Sequence, residues 1–124
     1  MNDRLSEIFD RRESFMNKLR ESIPDSSPEW PVDLSLKENQ QHVRDMALRG
    51  VEEMFEALQH LKNWKPHRRT EIREFDRDEF LEEIVDAFNY FLSILVLTGF
   101  DENDLISAYR KKDDIINQRL ETGY

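Results

Sequence analysis

A chain of 124 residues with 27 acidic and 18 basic side chains carries a formal charge of −9. It is long enough for one modest core, and its acidity argues against nucleic acid as a general partner. With no cysteine, disulfides, thiolate catalysis and cysteine-based zinc sites are excluded.

Four helices are expected in one all-α domain, residues 1–124. The first runs from about Asp3 to Ser22, with Leu5, Ile8, Phe9, Phe15, Leu19 and Ile23 at helical spacing. The next segment, IPDSSPEWPVD, holds three of the four prolines and reads as a loop. Ser35 and Glu38 have the spacing of a capping box for a second helix, expected to reach about Asn63. Its apolar face reads as Val43, Ala47, Val51, Met54, Leu58 and Leu61. Pro66 lies in a basic loop, KPHRRT, which suits a phosphate clamp or a solvated loop equally. Trp64 is expected in the core.

Asp76 and Glu79 form a second capping pattern, with Phe75 and Phe80 placed as a hydrophobic staple. The third helix is expected to end at Thr98, with Gly99 as its cap. Asp101 opens the fourth, which continues to about Leu120. No segment alternates with period two, so strands are not expected. The third helix is apolar nearly all round, which implies burial on most sides. A bundle this small encloses such a helix most simply by forming a dimer. Asn89 and Ser93 interrupt its apolar run, so a membrane span is not expected. Charges begin at Asp3 and Arg4, unlike a signal peptide, and a cytoplasmic setting is expected.

Asp86 and Asn89 inside that apolar run raise a physical question, because burying a charge is costly unless it is paired or holds a metal. Glu83 and Asp86 lie three residues apart on the third helix, and Glu53 and Glu56 three apart on the second. If the two helices pack antiparallel, four carboxylates converge and repel one another. Divalent cations relieve the repulsion, and an all-oxygen donor set selects Mg²⁺ first and Mn²⁺ second. In so acidic a chain the spacing alone says little, and Glu7, Asp10 and Glu13 read as a solvated face. The apolar surround of Glu83 and Asp86 is what singles them out. The three histidines form no H-x-x-x-H pattern, so a zinc site is not expected. No P-loop and no G-x-G-x-x-G is present.

The pair E53-M-F-E56 and E83-I-V-D86 resembles the ExxE…ExxD signature of the all-α NTP pyrophosphohydrolases, which include dimeric dUTPases, dCTPases and MazG-like proteins. LKNWK (Leu61–Lys65) is similar to the F-K-x-W segment of the dimeric dUTPase branch. EEIVDAFNYFLSI resembles its E-E-x-x-D-x-x-H-F-x-L-S helix. Tyr109, Lys112, Arg119, Gly123 and Tyr124 resemble its C-terminal motif. The resemblance covers about Arg44 to Tyr124.

The resemblance implies a Mg²⁺-dependent reaction, (d)NTP + H₂O → (d)NMP + PPi, in a homodimer or tetramer. Glu53, Glu56, Glu83 and Asp86 become the metal-binding catalytic acids. Lys65, Asn89, Lys112, Asn117, Arg119 and Tyr124 become substrate-binding residues. Asn89 stands where that branch has His, and Asn117 is one position later than its Asn. No glutamine motif aligns in the first helix. The base therefore stays open: dUTP, or another dNTP such as dATP, dGTP or dCTP. The alternative is a non-enzymatic acidic helical interaction module whose inward carboxylates pair with Lys112 and Arg119.

Overall fold

The computed structural model describes residues 3–71 and 74–123. It is all-α: α1 spans Arg4–Ser22, α2 Lys37–Leu58, α3 Arg77–Leu97 and α4 Glu102–Thr122, with no strand among the described residues. Two compact units are present, Asp33–Ile94 and Met1–Val32 with Leu95–Tyr124.

In the second of these, α1 and α4 are in contact. Asp3 caps α1, its carboxylate accepting from the Ser6 N–H at 2.8 Å. Those hydrogen bonds hold the Asp3 carboxyl below its ordinary range. Phe9 and Met16, seven residues apart on one face, are buried, whereas Ile8, Phe15 and Ile23 are exposed. The end of α3 is closed by a Schellman motif: Gly99 N–H donates to Val96 O at 3.1 Å and Phe100 N–H to Leu95 O at 2.9 Å. Gly99 has φ +85°, a left-handed conformation in which a Cβ is strained. Asp101 and Asp104 then form a reciprocal capping box at the start of α4.

The unit Asp33–Ile94 carries α2 and most of α3. The expected Ser35 capping box is not formed. Leu36 is the N-cap and makes no side-chain cap. Instead Asp33 captures Ser35, accepting from its N–H at 2.9 Å and its hydroxyl at 2.7 Å. A local turn of this kind competes directly with capping. Both Asp76 signals hold: its carboxylate accepts from Glu79 N–H at 3.0 Å, and the Phe75 and Phe80 rings pack at 5.3 Å with a 55° tilt.

The buried face of α2 centres on Gly50 and Ala57 rather than on Val51 and Leu58, which are exposed. Small residues allow close approach. A Cβ built on Gly50 would lie 3.1 Å from both Phe91 Cζ and Tyr90 Cβ of α3. Within one chain α3 is buried on one side only. Ala87, Leu92 and Ser93 are buried, but Leu81, Val85, Phe88 and Phe91 are open. On α2, Leu48, Val51, Phe55 and Leu58 are also open, so each helix leaves an apolar stripe uncovered within the chain.

Candidate metal and nucleotide site

Helical periodicity puts Glu53 and Glu56 one turn apart on α2, and Glu79, Glu83 and Asp86 at three- and four-residue steps along α3. Close packing at Gly50 brings the two helices together one turn before Glu53. One carboxylate oxygen from each of Glu53, Glu56 and Glu83 then falls within 4.8 Å of the others. Glu53 and Glu83 are half-buried and Glu56 is exposed.

The electrostatics follow from this crowding. The Glu53 carboxyl is raised above its ordinary 4.5 by partial burial first, then by the Glu56 charge and a side-chain hydrogen bond with Glu56, and then by Asp86 and Glu83. The Glu83 carboxyl is raised likewise by partial burial, Glu56, Asp86 and Glu79, with His60 opposing. Among the described residues of Asp33–Ile94, Arg49 pairs with Asp45 at 3.0 Å.

Asp86 stands differently from the expectation that drew attention to it. It is exposed, not buried, because it lies on the open side of α3. Within the apolar run, the buried polar side chain is Ser93, at 1% exposure. Asp86 still belongs to the same neighbourhood, since its charge acts on both Glu53 and Glu83. It also lines an open cleft of about 610 Å³ with Glu79, Glu82 and Glu83.

Among the expected substrate-binding residues, Asn89 is half-buried one turn beyond Asp86. Lys65 is half-buried in the loop after α2, its Nζ 5.7 Å from the Trp64 ring centroid. Trp64 is 68% exposed, against the expectation of a core position. Helix α2 ends at Leu58, several residues before Asn63, which leaves the tryptophan in a loop without a helix to pack on. Lys112, Asn117 and Arg119 are exposed on the second half of α4, in the other unit. The Asn117 amide donates to Asp113 O at 3.0 Å. Tyr124 lies outside the described residues.

His60, one of the three histidines without a pairing pattern in the sequence, lies beside these acids. His60 presents a ring nitrogen within 4.8 Å of oxygens of Glu79 and Glu83. A search for paired histidines on one helix could not find it, because its partners come from a different helix.

The donor set fits a hard divalent cation. Three oxygens from separate carboxylates converge from two helices, and two of the carboxyls resist ionisation in the absence of positive charge.

Comparison with known proteins gives one family. The family model described as dUTPase matches residues 34–124, which takes in α2, α3 and α4 and starts ten residues before the resemblance seen at Arg44. No curated protein and no solved structure matches the chain. With the match covering most of the chain and carrying both acidic pairs, this all-α protein belongs to the dUTPase family and is a dUTPase-like nucleotide pyrophosphohydrolase at the level of that family.

Proposed function

We propose that the chain hydrolyses a deoxynucleoside triphosphate to the monophosphate and pyrophosphate in a Mg²⁺-dependent reaction, with Mn²⁺ as a substitute and dUTP as the first substrate to test. The observation that carries this reading is the convergence of Glu53, Glu56 and Glu83 within 4.8 Å inside the region that matches the family.

Glu53, Glu56 and Glu83 would hold the cation, with Asp86 completing the set from the next turn of α3. A bound divalent cation supplies charge neutralisation for the triphosphate and acidifies the attacking water. One of the four acids, or Glu52 or Glu82 beside them, accepts the proton of that water. The water oxygen bonds to the α-phosphorus as the bond to the α,β-bridging oxygen breaks, and pyrophosphate leaves. Lys65 and Asn89 bind substrate from the same unit. Lys112, Asn117, Arg119 and Tyr124 serve the same role from the C-terminal segment, as the family motif implies.

The open stripes on α2 and α3 are the face on which a second copy of the chain packs. A two-fold contact sets identical patches against each other, and large apolar residues such as Phe55 and Leu81, about 60% exposed, are unusual on a free surface. The setting we propose is the cytoplasm. No helix among the described residues is long and apolar enough to cross a membrane.

The test is turnover of the eight common (d)NTPs, with monophosphate and pyrophosphate resolved. Glu53→Gln and Asp86→Asn are each expected to abolish it and to leave the helical circular dichroism unchanged. Full activity of the wild type in EDTA, or of Glu53→Gln in Mg²⁺, would refute the assignment.

A further inference from the structure

The donors around Glu83 are not all of one kind. Glu83 comes within 4.8 Å of oxygens of Glu53 and Glu56 in one group and, within the same limit, of a ring nitrogen of His60 and an oxygen of Glu79 in another. We propose that His60, Glu79 and Glu83 form a second cation site, one that takes a borderline divalent ion of the Zn²⁺ and Co²⁺ class and shares Glu83 with the oxygen-only cluster.

Three features build this site. Glu79 and Glu83 are four residues apart on α3 and so share one face. Glu79 lies in the first turn of that helix, where Asp76 accepts from its N–H at 3.0 Å. His60 sits two residues past the end of α2, held by its N–H donating to Ala57 O at 3.1 Å. Its ring stands edge-on to Phe80 at 6.3 Å and 72°, and Phe80 is itself packed on Phe75. The imidazole therefore has a defined place beside α3.

Space is present as well. His60 and Glu83 line an open cleft of about 400 Å³ together with Glu56, Gln59 and Lys62. The carboxylates of Glu56 and Glu83 outnumber the one cation, Lys62. Tetrahedral bonds of about 2.0–2.2 Å to zinc set donor atoms about 3.4 Å apart. The three groups, within 4.8 Å of one another, close that gap of about an ångström by side-chain rotation, for which the exposed Glu79 is free.

Chemistry separates the two clusters. Mg²⁺ takes oxygen and keeps its waters, so the nitrogen of His60 adds little for it. Imidazole favours zinc, cobalt, nickel and copper over magnesium. The inference uses the geometry of the acidic cluster but does not depend on that cluster performing hydrolysis.

Metal-free protein titrated with Co²⁺, without nucleotide, tests it. Visible absorption of Co²⁺ reports inner-sphere ligation, and the imidazole resonances of His60 in a parallel titration with diamagnetic Zn²⁺ report whether its ring is bound. Zn²⁺ is expected to shift those resonances. His60→Ala and Glu79→Gln are each expected to weaken Co²⁺ binding by on the order of tenfold or more, whereas Glu53→Gln, which alters only the oxygen cluster, weakens it less. Glu79 is exposed, so its variant keeps the test valid if His60→Ala folds poorly. Unshifted His60 resonances, or a loss confined to Glu53→Gln, would overturn the proposal. A failure of Mg²⁺-dependent turnover would not touch it, because no step of this experiment reads turnover.

Discussion

Replacing Gly50 by alanine sets two known effects against each other. Alanine is the better helix former by about 1 kcal/mol in a helix interior. The added methyl, however, would meet Phe91 Cζ and Tyr90 Cβ at 3.1 Å and Phe91 Cε2 at 3.3 Å. The phenyl ring has some freedom to turn, but Tyr90 Cβ is fixed to the backbone of α3. The two helices must therefore separate slightly, and overpacking of this kind costs about 1–3 kcal/mol. The expected net change is a loss of about 1 kcal/mol, or about 3–5 °C in Tm for a chain of this length. Thermal melting followed by circular dichroism measures it. The same separation widens the gap between Glu53 and Glu83, so the rise in Tm caused by Mg²⁺ should shrink relative to wild type. If Gly50→Ala instead melts higher by the full helix-forming gain and keeps its response to Mg²⁺, the close approach of α2 and α3 does not set the site.

Other expectations follow from the same geometry. In EDTA, Glu53 and Glu83 have folded-state values raised above 4.5, so the folded protein binds protons more tightly than the unfolded chain. Stability should therefore fall as pH rises from 4.5 through the raised values, and bound Mg²⁺ should restore more of it at pH 7 than at pH 5; melting in EDTA and in Mg²⁺ across that range checks the sign. Asp3 and Asp33, held below 3.8 by their hydrogen bonds, act oppositely and in a lower window, losing their contribution as pH falls below that value. Gly99→Ala should lose about 1–2 kcal/mol from left-handed strain alone, and more because its Cβ would lie 2.9 Å from Pro31 Cβ; the urea midpoint reads this. Light scattering tests the proposed dimer: the wild type should have twice the mass of the chain and Phe55→Glu or Leu81→Glu that of one chain, and an unchanged mass in the variants would refute the α2–α3 face as the contact.

Periodicity and caps made the helices legible. Asp3, Asp76, Gly99 and Asp101 each act as their residue types suggest, because a cap is decided within a few residues. Ser35 shows the limit of such reasoning. It had two partners within reach, and Asp33 bound it before a helix could. The end of α2 was read too long because no glycine or proline intervenes before Pro66, and that error carried Trp64 into an imagined core. Both acidic pairs were visible as spacing, but their environment was not. The apolar run around Asp86 suggested burial, whereas α3 has an open side that a linear string does not display. His60 was invisible for the same reason, since its neighbours Glu79 and Glu83 approach it only through tertiary packing.

Helix α2 is unequally secured along its length. Its first turn starts at Leu36 without a side-chain cap and is held by solvent-exposed hydrogen bonds of the Asn39 and Gln40 amides, which donate to Asp33 O at 2.9 Å and Leu34 O at 2.7 Å, while its second half is pinned by tight packing at Gly50 and Ala57. Amide protons near Lys37 should therefore exchange with solvent early, by fraying, and those around Ala57 late, through larger openings. The ligand-bearing turns of Glu53 and Glu56 thus lie on the stretch of this helix that its packing on α3 secures.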